Sequence, residues 1–447
     1  MSEDLHEICR RVVESAGAGE QIDVMLGRSR STTVRVYEGE VESFTSAENF
    51  GIGIRVIKDG KQGFASAGSL DDTVVRETLA EARDNCPFGE FDEFLGLAEP
   101  DGVVASAHDH WNPDLLALSA ERKIEQALEL ERLVRARDPR VTGVRTAAWS
   151  DSAGEFAYAA SNGIVAADRG TSCSVGVQAL IAADGETQTG AAGDAARSLD
   201  ALDIERVVSD AVDRGTRLLG ATQPASARLP IVLEPRLAIT LLGLIADLLD
   251  GESVQKGRSP FAGRVGEQIA SPLLTLVDDP TAVESIAASE YDGEGLACRR
   301  NPLIAEGVLG PFLQNSYTAR KAQLRSTGSA LRSARSLPGV GAQVLVMGNG
   351  SGTAEQLRST VREGLFVNSL QGLHSGVNPV SGDFSVGADG LMIRDGELAE
   401  PVREITLAST LQRLLLDIIA VGGDREWLSS GDAASTLVIG DVSLSGR

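Results

Sequence analysis

Aromatic residues make up only 4% of the 447 positions in this chain. Its core must therefore be built mainly from Leu, Val, Ile and Ala. Histidine is rarer still: His6, His108, His110 and His374 are the whole set, and none lies in an HExxH or HExxxH spacing. No helix thus presents the paired imidazoles of a zinc peptidase. No serine sits in a GxSxG elbow. Cys9, Cys86, Cys173 and Cys298 are far apart and form no CxxC pair. The chain opens without a basic region ahead of an apolar stretch. Reduced thiols and a cytoplasmic protein are the expectation. No apolar run approaches the ~18–20 residues that span a bilayer. Lys and Arg number 41 against 64 Asp and Glu, for a net charge of -23. Such a chain repels phosphate backbones, and no basic stripe with interleaved aromatics offsets it. Neither nucleic acid nor a membrane is an expected partner.

What is present is strong periodicity. Leu5, Ile8, Cys9, Val12 and Val13 recur at helical spacing. From about Asp23 to Phe64 the apolar positions alternate as in a strand meander, with a hairpin signal at Asp59-Gly60. Ser69-Leu70-Asp71 then opens a helix carrying Val74, Val75, Leu79 and Ala82. The order returns: a helix over Glu121 to Arg137, strands from Val141 to about Gly190 with turns at Asn162-Gly163 and Asp184-Gly185, and a helix after Ser198-Leu199-Asp200. Two weak copies of one unit are implied. Ala221 to Leu229 reads as a linker. Arg236 to Asp250 reads as a helix apolar nearly all round, hence buried. The remainder is strand-rich, with turns at Glu306-Gly307 and Asp395-Gly396 and helices near Thr353–Glu363 and Ser409–Ile419. The expected fold class is α+β. A duplicated helix–β-meander–helix domain covers residues 1–220, and a β-rich domain with a buried central helix covers 221–447.

Three local clusters invite a chemical reading. His108-Asp109-His110 lies in a polar segment from Pro87 to Pro113. Two imidazoles at that spacing can contribute to a metal site only with further ligands, and a solvated loop accounts for them. Gly348-Asn349-Gly350-Ser351-Gly352 follows a strand and opens a helix, but its spacing is wrong for a dinucleotide fingerprint. Asp292 and Glu294 sit in a Gly-rich loop, where two carboxylates could serve as metal ligands or an acid/base pair, and a tight turn with exposed acids is the favoured reading.

The C-terminal half carries more specific blocks. Ser316-Tyr317-Thr318-Ala319-Arg320-Lys321 precedes Ser326-Thr327-Gly328, and Gly382-Asp383-Phe384-Ser385-Val386-Gly387-Ala388 follows. With Gly51-Ile52-Gly53-Ile54 in the first half, the chain resembles the TldD/PmbA family over nearly its whole length. That resemblance implies a peptidase with two kinds of subunit. One, TldD, bears HExxxH on the central helix and a late Cys ligand. The other, PmbA or TldE, lacks them. Here the motif positions read Leu242, Gly243 and Asp247, and no Cys follows Cys298. The resemblance therefore implies no cofactor and no catalytic residue in this chain, with zinc expected in a TldD-type partner.

The implied role is the zinc-free subunit of a heterodimeric metalloprotease in peptide maturation or degradation. The alternative is a stand-alone homodimer that binds peptides or regulates. For substrate contact, Arg320 and Lys321 are candidates, with Gly376, Asn378, Ser381, Gly382 and Asp383 offering main-chain groups to an extended peptide. The competing reading makes both loops a subunit interface, with Arg320 in a structural ion pair.

Overall fold

In the computed structural model, residues 2–447 are described, with side chains from Leu5 onward. The first half contains α1 (Ser2–Glu14), β1 (Gln21–Tyr37), β2 (Glu40–Lys58), β3 (Lys61–Ala67) and α2 (Asp72–Asn85). The unit repeats as α3 (Ala120–Arg137), β4 (Val141–Ala160), β5 (Val165–Ala183), β6 (Glu186–Ala196) and α4 (Ile204–Thr216). The two meanders join through antiparallel β1 and β4 into one sheet of order β3-β2-β1-β4-β5-β6. The duplicated helix–meander–helix unit expected from periodicity is present. Asp59-Gly60 and Asp184-Gly185 both take positive φ at both positions, as a two-residue hairpin requires. Glu38-Gly39 does the same without an Asn or Asp to announce it. Ser119 and Asp203 cap α3 and α4 by accepting from Arg122 N and Arg206 N.

The helices cover one face of this sheet. Ile22, Val24, Leu26, Ile52, Ile54 and Val56 point to α1 and α2. Val34, Val36, Trp149, Val175, Val177 and Ile181 point to α3 and α4. The far face takes the alternate residues, because successive side chains in a strand point opposite ways. At one end of that face Met25, Ile57 and Tyr158 pack with Leu296 of the second half.

The second half is built on a closed barrel. Strands Glu397–Thr410, Asp383–Arg394, Glu363–Gln371, Ala227–Leu233 and Leu437–Ser445 are neighbours in that order, and the first also pairs with the last. Closure removes the sheet edges. A second, smaller sheet includes Leu276–Asp278, Asn301–Ala305 and Leu345–Met347. Helix α5 (Pro235–Ala246) shares one apolar core with both sheets, and seven of its twelve residues are buried.

Three helix expectations need trimming: near Thr353–Glu363 only Ala354–Ser359 is helical, and Glu363 already opens a barrel strand. The central helix ends at Ala246 rather than Asp250, where Asp250 instead caps the short helix Gly251–Gln255. Within Ser409–Ile419 only Leu411–Leu416 is helical, because Ser409 and Thr410 remain paired in the barrel.

Candidate functional site

Helix α5 carries the positions where the resembled family places its metal motif. Leu242 has no exposed surface and lies in the apolar core. Gly243 is half-buried and faces open space. Asp247 is exposed just past the helix end, its N–H bonded to the Gly243 and Ile245 carbonyls. A protein zinc site takes at least three N, S or O donors. Leu and Gly supply none, so the residues present do not fit a zinc ion. Among the described residues no group of three or more His, Cys, Asp or Glu is arranged to hold a metal.

Above the far face of the first sheet lies a buried ionic network that sequence reasoning missed. Asp23 on β1 and Arg55 on β2 flank Glu294 and Arg332 from the second half. Arg55 donates from Nε to Asp23 at 3.0 Å and pairs with it again through Nη2. Arg332 donates to the other Asp23 oxygen at 2.8 Å, and Arg55 stands 4.0 Å from Glu294. All four side chains are within 5% of complete burial. Burial alone would raise the Asp23 pKa, but Arg332 and Arg55 outweigh it and hold the carboxyl below its ordinary value. The network bridges the two halves and fixes their orientation.

Asp292 and Glu294 are not exposed turn acids, a correction to the favoured sequence reading. Both are 2% exposed or less. Asp292 accepts from the N–H groups of Glu294, Leu296 and Ala330. Burial, then Glu294, push its pKa up to about 7. Glu294 accepts from the backbone N–H and hydroxyl of Ser316. These carboxylates organise the chain around them.

Arg320, on α6 (Ser316–Ala322), is also committed. Its guanidinium donates to the carbonyls of Phe94, Leu97 and Gly96 at 2.7, 3.0 and 2.8 Å. It clamps the first half to the second, through carbonyls in place of the expected ion pair. Lys321 is exposed, with Nζ 5.6 Å from the Tyr317 ring centre. Gly376, Asn378, Ser381, Gly382 and Asp383 form a turn at the barrel end, where Asn378 accepts from Val380 N and Ser381 accepts from Asp383 N. No hydrogen bond or ion pair among the described residues joins that turn to Arg320 or Lys321. The strand after it pairs with Glu397–Thr410 from Asp383 onward but with Glu363–Gln371 only from Gly387 onward, and ahead of that Phe384 is bridged to Val377.

Arg320→Ala leaves three carbonyls unpaired. We expect a loss of about 1.5–3 kcal/mol and faster amide exchange around residues 94–97. Unchanged exchange there would contradict the clamp.

The His108-Asp109-His110 segment is folded against the sheet rather than solvated, a second correction. The His110 carbonyl accepts from Thr171 N at 2.9 Å, and the two imidazoles stack with centres 5.2 Å apart. His110 is 7% exposed, and neither Nε2 has a hydrogen-bond partner among the described residues. A cavity of about 700 Å³ opens beside His110 on the far face of the sheet, with Arg169, Arg197 and Asp168 in its lining. The glycine loop at Gly348–Gly352 is a packing device: a side chain on Gly350 would strike the Val421 carbonyl.

Comparison with known proteins gives a consistent picture. The chain matches the PmbA/TldA metallopeptidase domain 1 over residues 22–86, the central domain over 113–219 and the C-terminal domain over 226–446. It is 26% identical over 425 residues to the Escherichia coli O157:H7 protein called Metalloprotease PmbA, covering 95% of this chain and 92% of that one. It is 28% identical over 399 residues to the Haemophilus influenzae Metalloprotease TldD homolog, covering 84% and 80%. The crystal structure of TldE from Thermococcus kodakarensis superposes with a TM-score of 0.90 at 25% identity, covering 100% of both chains.

Proposed function

This chain belongs to the PmbA/TldD metallopeptidase family, and we propose that it is the zinc-free, TldE-like subunit of a two-subunit peptidase. Residues 1–220 and 221–447 are its two domains in this reading. One observation carries it: the helix aligned with the zinc motif offers Leu242, Gly243 and Asp247, with the first sealed in the core. A TldD-type partner then supplies the metal, and this chain completes the peptide-binding chamber. Zinc there would act as Lewis acid and water activator, and no step of that chemistry falls to residues of this chain. Such a pair acts on peptides in maturation or degradation, in the cytoplasm.

Two measurements test the reading. Metal analysis of the purified chain is expected to find far less than one zinc per chain. Stoichiometric zinc would contradict it and direct attention to His108 and His110. Sizing after co-expression with an HExxxH-bearing TldD-type subunit is expected to give one complex containing both. A homodimer that ignores that subunit would favour the stand-alone alternative.

A further inference from the structure

The far face of the first sheet carries a row of glycines, of which Gly51 is packed against Ala334 while Gly27 and Gly154 face open space. Gly51 on β2 pairs with Gly27 on β1, and Gly154 on β4 pairs with Gly170 on β5. Ser29 pairs with Gly154, which joins the two pairs into one stripe across four strands. Among the described residues nothing stands within 4 Å of where a side chain would start on Gly27 or Gly154. Glycine within a strand weakens it, and often marks a place where something approaches the backbone closely. The stripe floors the 700 Å³ cavity described above, a volume in the range of ligand sites.

The walls of this trough carry unsatisfied polar groups. Gly170 is flanked by the His110 Cβ and the Arg197 Nη1, 3.7 and 3.9 Å from where a side chain on it would start. Arg197 is half-buried and bonds only one backbone carbonyl, that of Ser285 at 2.8 Å. Among the described residues neither Arg197 nor Arg169 has a carboxylate within ion-pair distance. Arg169 instead lies 5.1 Å from the Trp111 ring centre. Arg28 also lines the trough, but it is paired with Glu155 at 3.2 Å. The nearby Asp168 accepts from the Arg169 and Glu290 backbone N–H groups.

We propose that this trough binds the C-terminal end of a peptide, with its carboxylate between Arg197 and Arg169 and its last amide against His110. The proposal deepens the peptidase-subunit reading and rests on it for the choice of a peptide. Arg197 is half-buried and Arg169 exposed, neither has an ion-pair partner among the described residues, and Asp168 acts on Arg197 only from beyond ion-pair distance; both planar forks therefore remain open to a carboxylate. Burial, then Arg197 and His108, lower the His110 pKa against the opposing pull of Asp168 and the Ala288 backbone, which favours the neutral imidazole. A neutral imidazole keeps one acceptor nitrogen, which suits an amide N–H. A peptide end supplies carboxylate and amide together, whereas inorganic phosphate supplies no such amide. The bare glycine floor leaves room for the adjoining main chain.

The test uses the full chain and a short peptide labelled at its N-terminus, in free-acid and C-terminally amidated forms, read by fluorescence anisotropy. The free acid is expected to bind at least about tenfold more tightly than the amide. Gly154→Val, which fills open space without a clash, and Arg169→Gln should each weaken binding of the free acid. Arg197→Gln should weaken it most. Millimolar phosphate should not displace the peptide. Equal binding of acid and amide, no binding of either, displacement by phosphate, or unchanged affinity in Gly154→Val would overturn the assignment. The subunit reading is judged separately, by complex formation and metal content, so either can fail alone.

Discussion

Asp23→Ala is expected to lower the unfolding free energy by about 3–5 kcal/mol, the usual cost of removing one partner from a buried ion pair. The carboxylate is completely buried and accepts from both Arg55 and Arg332. Its loss leaves two buried guanidiniums, and among the described residues only Arg55 of these has Glu294 near it, at 4.0 Å and already bonded to Ser316. Among the described residues Arg332 Nε and Nη2 have no hydrogen-bond partner even with Asp23 present, so the Tyr158 ring, 5.9 Å away, is left beside it. Urea unfolding of the variant checks the magnitude. Replacing Asp23, Arg55 and Arg332 together by apolar residues of similar size should recover much of the loss, because the stranded charges go with the carboxylate. A loss for Asp23→Ala of no more than about 1 kcal/mol, as at a surface pair, would contradict the network's role in joining the halves.

Leu242→Ala is expected to cost about 2–5 kcal/mol, the range for a Leu emptied from a packed core. Leu242 is fully buried on a helix that shares its core with the barrel and the second sheet. If the old motif position now serves packing, restoring donors does not restore a metal site. The triple change Leu242→His, Gly243→Glu and Asp247→His should destabilise the chain at least as much as Leu242→Ala. The new imidazole at 242 would be buried among apolar groups, where an unpaired polar group is costly. Thermal unfolding with and without zinc gives the readout. A triple variant as stable as the parent, further stabilised by zinc, would show that the helix kept its metal-binding geometry.

Much of the fold could be read from the residues because the signals are local. Asp59-Gly60, Asp184-Gly185, Glu306-Gly307 and Asp395-Gly396 all adopt positive φ at both positions. The alternation of Ile22, Val24 and Leu26, then Ile52, Ile54 and Val56, marks the helix-facing side of the sheet. The same alternation misleads about the far side. Asp23 and Arg55, set between apolar residues, have the spacing of solvent-facing positions, yet the second half covers them. That covering is a long-range event with no trace in a window of neighbours. Burial of Asp292, Glu294 and His110 leaves no local trace for the same reason, since each sits in a polar, glycine-bearing stretch that reads as surface. Arg320 was singled out through its block, but its partners are carbonyls more than two hundred positions away. The glycine stripe was invisible as a unit, because Gly27, Gly51, Gly154 and Gly170 become neighbours only through strand pairing.

The central claim is that this chain contributes no zinc chemistry of its own and completes a partner that does. Peptide hydrolysis measured on the chain alone, on a TldD-type subunit alone and on the two combined tests it most directly. We predict no turnover by this chain alone and robust turnover by the pair. A metal chelator, or loss of the partner's HExxxH histidines, should abolish the pair's activity. Chelator-resistant hydrolysis by this chain alone would contradict the claim, as would a partner whose activity is indifferent to its presence.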